Sequence, residues 1–269
     1  VHPIERLRYV ARASGEGSSL LLREAAGALA SFSDDPAALV TACRRLVDRQ
    51  PHAASMWWLA ARVLVSGDPH DEAWDAADLV ESDPAPGQVG ASVPEDATVV
   101  VLGWPERTVS GLHRRGDVRL LVVDALGDGS SLVRRLERSG ADAELVDERG
   151  VAAAVRSADL LLLEALGLGP GGAVVVAGSD AAACVAAQAG VPTWVVAGVG
   201  TALPDAMWRS YLSALGLGPD DARMLDADLE VVSADLIGAV VGPGGVTDLA
   251  TAVAAGGCPV APELLVRLS

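Results

Sequence analysis

A chain of 269 residues can hold one large α/β domain or a smaller one with an appendage. Its 36 acidic residues outnumber 20 basic ones, giving a formal charge of −16, and with lysine absent every basic residue is an arginine. This balance argues against direct nucleic-acid binding, which needs basic side chains to neutralise phosphates. No apolar run reads as a membrane span, because LLLLEALGLGPGGAVVVAG carries a glutamate and a Gly-Pro-Gly-Gly turn. The VHPIERLRYV stretch lacks the basic-then-apolar pattern of a secretory signal, so the sequence predicts a cytoplasmic protein. The three cysteines, Cys43, Cys184 and Cys258, are far apart with no metal-ligand or disulfide spacing. They read as small buried apolar residues, the four histidines are assigned no chemistry, and neither a metal nor a cofactor is expected.

Residues 1–81 carry helical patterns and no strand signal. SLLLREAAGALASF has apolar residues at three- and four-residue spacing, and Asp34-Asp35-Pro36 starts the next helix, PAALVTACRRLVDR. PHAASMWWLAARVLVSG follows, and its Met56, Trp57, Trp58 and Leu59 read as an aromatic plug packed against the following domain. DPHDEAWDAADLV is a last helix whose acidic first turn suits the helix dipole. Residues 82–96 contain three prolines and two glycines without periodicity, and read as a linker or long surface loop.

From residue 97 to 269 short β-branched runs alternate with helical segments. TVVVLG, VRLLVVD and ADAELVDE read as strands, with RTVSGLHRRG, SSLVRRLERSG and VAAAVRSAD as helices among them. ADLLLLEAL, GAVVVAG and VPTWVVAGVG continue the strands, with SDAAACVAAQAG as a small-residue helix. LPDAMWRSYLSALG is a helical excursion, and the rest closes with a strand, a glycine turn and a terminal helix. The cadence predicts an α/β fold: a Rossmann-like, mostly parallel sheet with helices on both faces, preceded by a small all-helical domain.

Such sheets bind ligands where strands turn into helices. Gly103-Trp104-Pro105-Glu106-Arg107-Thr108 follows the first strand and could offer amides and a hydroxyl to an anion, or be an ordinary helix start. Asp124–Ser131, with Gly129, Ser130 and Ser131, could cradle a phosphate or be a plain turn and cap. Gly178-Ser179-Asp180 opens a further helix. Glu164, within LLLLEAL, is either a buried carboxylate with a partner and a shifted pKa or a strand-end group facing water. The expected ligand-binding set is therefore Gly103, Glu106, Arg107, Thr108, Gly129, Ser130, Ser131, Glu164, Ser179 and Asp180.

The order of segments from DRQPHAASMWWLAARVL through VVVLGW, VVDALGDGSSLVRRLERSGADAELVDE, ADLLLLEALGLGPGGAVVVAGSDAAACVAAQAGVPTWVVAG and LEVVSADLIGAVVGPGGV resembles the initiation factor 2B alpha/beta/delta family. That family includes methylthioribose-1-phosphate and ribose-1,5-bisphosphate isomerases. The resemblance runs from about Ile4 to Leu265 and implies a homodimer through the carboxyl-terminal domain, with a phosphorylated small molecule bound between the domains. It also implies an isomerase thiol after the first strand and an acid in a Gly-Ala-Asp motif. Trp104 stands at or next to the first place and Leu166, in Glu164-Ala165-Leu166, at the second. The family's Asn-Gly and Asn-Lys pairs fall on Gly171-Gly172 and Val176-Ala177, and its arginine after the second strand is missing from DALGDG. The first expectation is a non-catalytic regulatory or metabolite-sensing protein. The alternatives are a sugar-phosphate aldose–ketose isomerase with a rearranged site, using Glu164, Asp124 or Asp128, and a structural partner of a catalytic paralogue.

Overall fold

The structure is a computed structural model that describes residues 18–218 and 227–265. The VHPIERLRYV stretch lies outside the described residues. Four helices come first: α1 (Ser18–Ala30), α2 (Pro36–Arg49), α3 (Ala54–Val65) and α4 (Pro69–Glu81). Asp35 and Asp68 each precede a proline, and their carboxylates accept the backbone N–H groups of Ala38 and Asp71, which fixes where α2 and α4 begin. Helix α3 is the hub. Met56, Trp57, Trp58 and Leu59 are all buried, in one cluster with Leu22 and Leu29 of α1 and Trp208 and Tyr211 from far along the chain. Trp58 Nε1 donates to the Gly256 carbonyl at 3.1 Å, and the Tyr211 hydroxyl donates to the His52 carbonyl at 2.8 Å. The aromatic plug expected from MWWL is thus core packing that ties the helices to the rest of the molecule.

The main sheet is built from β1 (Thr98–Leu102), β2 (Arg119–Val123), β3 (Asp142–Val146), β4 (Leu160–Glu164), β7 (Thr193–Val196), β9 (Ala239–Gly242) and β10 (Gly245–Thr247). Its strand order is β10-β9-β7-β4-β1-β2-β3, parallel throughout except for the terminal hairpin of β9 and β10. Alternation along the strands decides which face each residue serves. Val100, Leu102, Leu161 and Leu163 face α8 (Val151–Ser157) and α9 (Ser179–Ala189). Val99, Val101, Leu160 and Leu162 face α5 (Ala85–Ser92), α6 (Glu106–Leu112) and α7 (Gly129–Arg138). Both faces are covered, which is why these strands read as unbroken apolar runs. The mostly parallel α/β sheet behind a helical beginning is the fold class the sequence predicts. Among the described residues no helix is long and apolar enough to cross a membrane.

Three elements differ from the sequence reading. Residues 82–96 hold α5, an eight-residue helix that the two prolines before and in its first turn disguise as a loop. GAVVV forms β6 (Gly172–Val176) outside the main sheet, in a separate antiparallel sheet with β5 (Gly167–Gly169) and β8 (Leu229–Ser233) in the order β5-β6-β8. A parallel return after β4 needs a crossover of a dozen residues or so, and the turn between Glu164 and Gly172 is too short. The closing segment contributes the hairpin β9–β10 as well as β8 and the helix α11 (Leu249–Ala255), where a single strand was expected. The remaining helix, α10 (Asp205–Ala214), carries Trp208 and Tyr211 to the core.

Helices α5 and α6 meet through Gly90 and Gly111. A β-carbon at Gly90 would lie 2.8 Å from the Gly111 carbonyl oxygen, and one at Gly111 would overlap the Pro86 carbonyl oxygen and sit 3.0 Å from Val89 Cβ. Gly111→Ala should therefore destabilise the fold by about 1–3 kcal/mol through overpacking against backbone. Gly116→Ala, with open space around the new methyl, is the control. Equal urea midpoints for the two variants would contradict this packing.

Candidate functional site

The chain runs from β1 outward through β2 to β3, then returns to β4 on the other side of β1. This reversal leaves a crevice at the carboxyl ends of β1 and β4, the position where open α/β sheets take ligands. A cavity of about 290 Å³ lies there. The β1 end supplies Leu102, Trp104, Pro105 and Arg107, and the β4 end supplies Glu164, Ala165 and Leu166. The α2–α3 turn closes the other side with Gln50, His52 and Ser55, and Val176 and Thr201 complete the wall.

Glu164 is the last residue of β4, after four buried leucines, so the strand itself delivers it to the cavity. Its side chain is 14% exposed and fully engaged: Oε2 accepts the Thr108 backbone N–H at 3.1 Å, and Oε1 lies 3.5 Å from Arg107 Nη1. Arg107 also donates from Nε to Asp83 Oδ2 at 3.0 Å. Asp83 in turn accepts the N–H of Val199 on Oδ2 at 3.2 Å and that of Ala85 on Oδ1 at 3.0 Å. Gly198 permits this arrangement, since a β-carbon there would collide with both the Arg107 guanidinium and the Asp83 carboxylate. One guanidinium between two carboxylates thus joins the residues before α5, the start of α6, the end of β4 and the loop after β7. Burial pushes the Glu164 carboxyl above its ordinary range, opposed by Arg107 and the backbone N–H groups.

Of the residues expected to bind ligand, the structure gathers Arg107, Thr108 and Glu164 into this cluster. Gly103, left-handed at φ +65°, turns the chain beside Val176 just before Trp104. Glu106 is exposed in the first turn of α6. Gly129, Ser130 and Ser131 lie at the start of α7 and do not line the cavity. The Gly129 N–H donates to Asp124 Oδ1 at 2.8 Å, and Ser131 Oγ accepts from Arg134 at 3.1 Å. Ser179 and Asp180 begin α9, also away from the cavity. The Asp180 N–H donates to Glu230 Oε1 at 2.6 Å, while the buried Ser179 Oγ has no partner among the described residues.

Sequence reading passed over Asp83, in a stretch taken for a linker, and His52, Ser55 and Thr201, which line the cavity. Nothing local marks them, because each reaches the site through tertiary packing. None of the cysteines lines it. Cys43 is buried in the helical core, where burial pushes its thiol up to about 12. Cys258 shares a separate hollow with Asp205 and Asp248. Its thiol is pushed up to about 12 by burial, Asp205 pairs with Arg209 at 2.9 Å, and Asp248 caps α11 through Thr251. A protonated thiol beside engaged carboxylates is a poor nucleophile. Among the described residues no three His, Cys, Asp or Glu side chains converge as metal ligands would.

With this geometry the chain falls into a defined structural class: helices followed by a seven-stranded, mostly parallel sheet with a crevice at its β1/β4 reversal. Solved structures of translation initiation factor 2B and of methylthioribose-1-phosphate isomerase share that fold. The initiation factor eIF-2B of Pyrococcus horikoshii OT3 matches with a TM-score of 0.71 at 16% identity, over 91% of this chain and 96% of that one. The tetrameric eIF2B-beta2-delta2 complex of C. thermophilum matches at 0.68 and 17% identity, over 94% and 93%. The 5-methylthioribose 1-phosphate isomerase of P. horikoshii OT3 matches at 0.61 and 16% identity, over 91% and 84%. No protein-family profile matches the sequence, and no curated protein is significantly similar to it.

The raised pKa of Glu164 has a signed consequence for stability. Between 4.5, where an unfolded glutamate loses its proton, and the group's raised folded value, the folded chain holds the proton longer than the unfolded one. The group's contribution is therefore full below 4.5 and is lost as pH rises through the folded value, at no more than about 1.4 kcal/mol per pH unit. Glu164→Gln should remove this slope from a series of denaturant titrations across that window. An unchanged slope in the variant would contradict the assignment.

Proposed function

We propose that this chain is a non-catalytic, ligand-sensing regulatory protein on the initiation factor 2B-like scaffold, with its ligand seat in the cavity between β1 and β4. The observation that carries the reading is the pairing of the cavity's Glu164 and Arg107. Aldose–ketose isomerisation needs a titratable group within reach of the carbon acid and free to exchange a proton. Where the isomerases that this chain resembles place a thiol and an acid, it presents Trp104 and Leu166, an indole and an aliphatic side chain lining the cavity. Glu164 and Arg107 are held by each other, by Asp83 and by the Thr108 N–H.

The rival reading, an isomerase with Glu164 as its base, is favoured by that residue's burial and raised pKa. Turnover separates the two. Ribose and methylthioribose phosphates at millimolar concentration should be returned unchanged, by product analysis. Isomerisation that disappears in Glu164→Gln would overturn the proposal.

A homodimer through the carboxyl-terminal half is part of the same reading. Helix α11 is LATAVAA yet buries none of its residues fully, and Val246 on the edge strand β10 and Val260 are both exposed. An exposed valine on an open strand edge suits an interface. Light scattering on the full chain should give twice the monomer mass, and Val246→Glu should halve it. A monomer at micromolar concentration would contradict the dimer.

A further inference from the structure

We propose that the β1/β4 cavity selects an uncharged ligand of nucleoside type, a flat ring bearing hydroxyl groups, and rejects phosphorylated molecules. The inference rests on the ligand-sensing reading above and names the class of molecule sensed.

The argument starts from how this edge of the sheet treats anions. Backbone N–H groups at strand-to-helix turns are where a phosphate is ordinarily received. Here four of them donate to the protein's own carboxylates. Thr108 N–H donates to Glu164 and Val199 N–H to Asp83, both in the cluster at the cavity. Gly129 N–H donates to Asp124 and Asp180 N–H to Glu230 in the neighbouring turns. At the cavity the Thr108 and Val199 amides are thus already taken by internal carboxylates, and the turns beside it repeat the pattern.

Two guanidiniums lie near the cavity: that of Arg107, and that of Arg135, which sits 5.7 Å from the Trp104 ring centroid but does not line the cavity. Arg107 is the one guanidinium among the residues lining the cavity, and both Asp83 and Glu164 already hold it. With both carboxylates ionised the cluster is net negative, and with Glu164 protonated it is neutral. In neither state does it attract a dianion. Opening it to a phosphate would strand one half-buried carboxylate without its counter-charge, which is costly.

What the cavity does offer is a contact surface. Trp104 is 39% exposed and Leu166 is 36% exposed, both on its wall, so they present apolar surface to whatever enters it. An indole face suits a flat ring. The hydroxyls of Ser55 and Thr201 on the same wall suit hydroxyl groups, and a cavity of about 290 Å³ is at the small end for ligand sites.

The test is calorimetric titration of the full chain with the four common ribonucleosides and their 5′-monophosphates, at pH 8 and low salt. At least one nucleoside should bind, and its monophosphate should bind at least about tenfold more weakly. Trp104→Ala should abolish nucleoside binding while leaving the melting temperature of the free protein within a few degrees, since the side chain is exposed. A monophosphate that binds as tightly as its nucleoside overturns the proposal and leaves the sensing reading standing, as does binding of ribose 5-phosphate without any nucleoside. Failure of nucleosides, nucleotides and ribose 5-phosphate alike overturns both.

Discussion

The interaction on which this structure turns is the grip of Arg107 on two carboxylates, Asp83 and Glu164. A guanidinium is planar, permanently charged and presents several donors in fixed directions, so it can hold two acids at once where an ammonium would hold one. All three side chains are largely buried, and a charge in that position is tolerated only with its counter-charges beside it. The fold supplies them from separate places. β4 ends in Glu164, the turn before α5 carries Asp83, and the first turn of α6 carries the arginine. Gly198 lacks the side chain that would block their meeting. The backbone N–H groups of Thr108, Val199 and Ala85 then complete the acids' hydrogen bonding.

This cluster sits where an α/β sheet of this winding is most open to ligands, and it changes what that opening can do. A crevice lined by free amides and cations is a phosphate site. Here two of the amides at that opening, those of Thr108 and Val199, already donate to Glu164 and Asp83, which is the ground of the proposal that it takes an uncharged ligand. The aromatic core underneath makes the distinction rigid. Trp57 packs edge-on to Tyr211 with ring centroids 6.0 Å apart, the Tyr211 hydroxyl donates to the His52 carbonyl, and Trp58 bonds to the Gly256 carbonyl, so the α2–α3 turn that forms one wall is tied to α10 and α3 to the end of α11.

How much of this could be read in the sequence depends on how local each signal is. The strands TVVVL and LLLLE were legible because burial on both faces demands unbroken apolar residues, and the helices because their starts carry Asp-Pro pairs. GAVVV looked like one more strand of the same sheet, since composition does not record which neighbour a strand pairs with; loop length did. Glu164 stood out as a carboxylate at the end of a leucine run, but its partners did not. Asp83 lies 81 residues away in a proline-rich stretch, and only the three-dimensional path of α5 brings it to Arg107. In the same way the sequence DALGDGSS fits a phosphate cradle or a plain turn and cap alike, and does not reveal that Asp124 takes the Gly129 N–H. Turn chemistry is local, whereas the question of who occupies the turn is not.

The most direct measurement on the cluster itself is a double-mutant cycle on Asp83→Asn, Arg107→Gln and the pair, read by denaturant unfolding. If the two side chains depend on each other as described, their effects will be strongly non-additive, with a coupling of at least about 1 kcal/mol. Additivity to within about 0.3 kcal/mol would mean that the two side chains do not support each other, and the account of a sheet edge closed by its own carboxylates would fail with them.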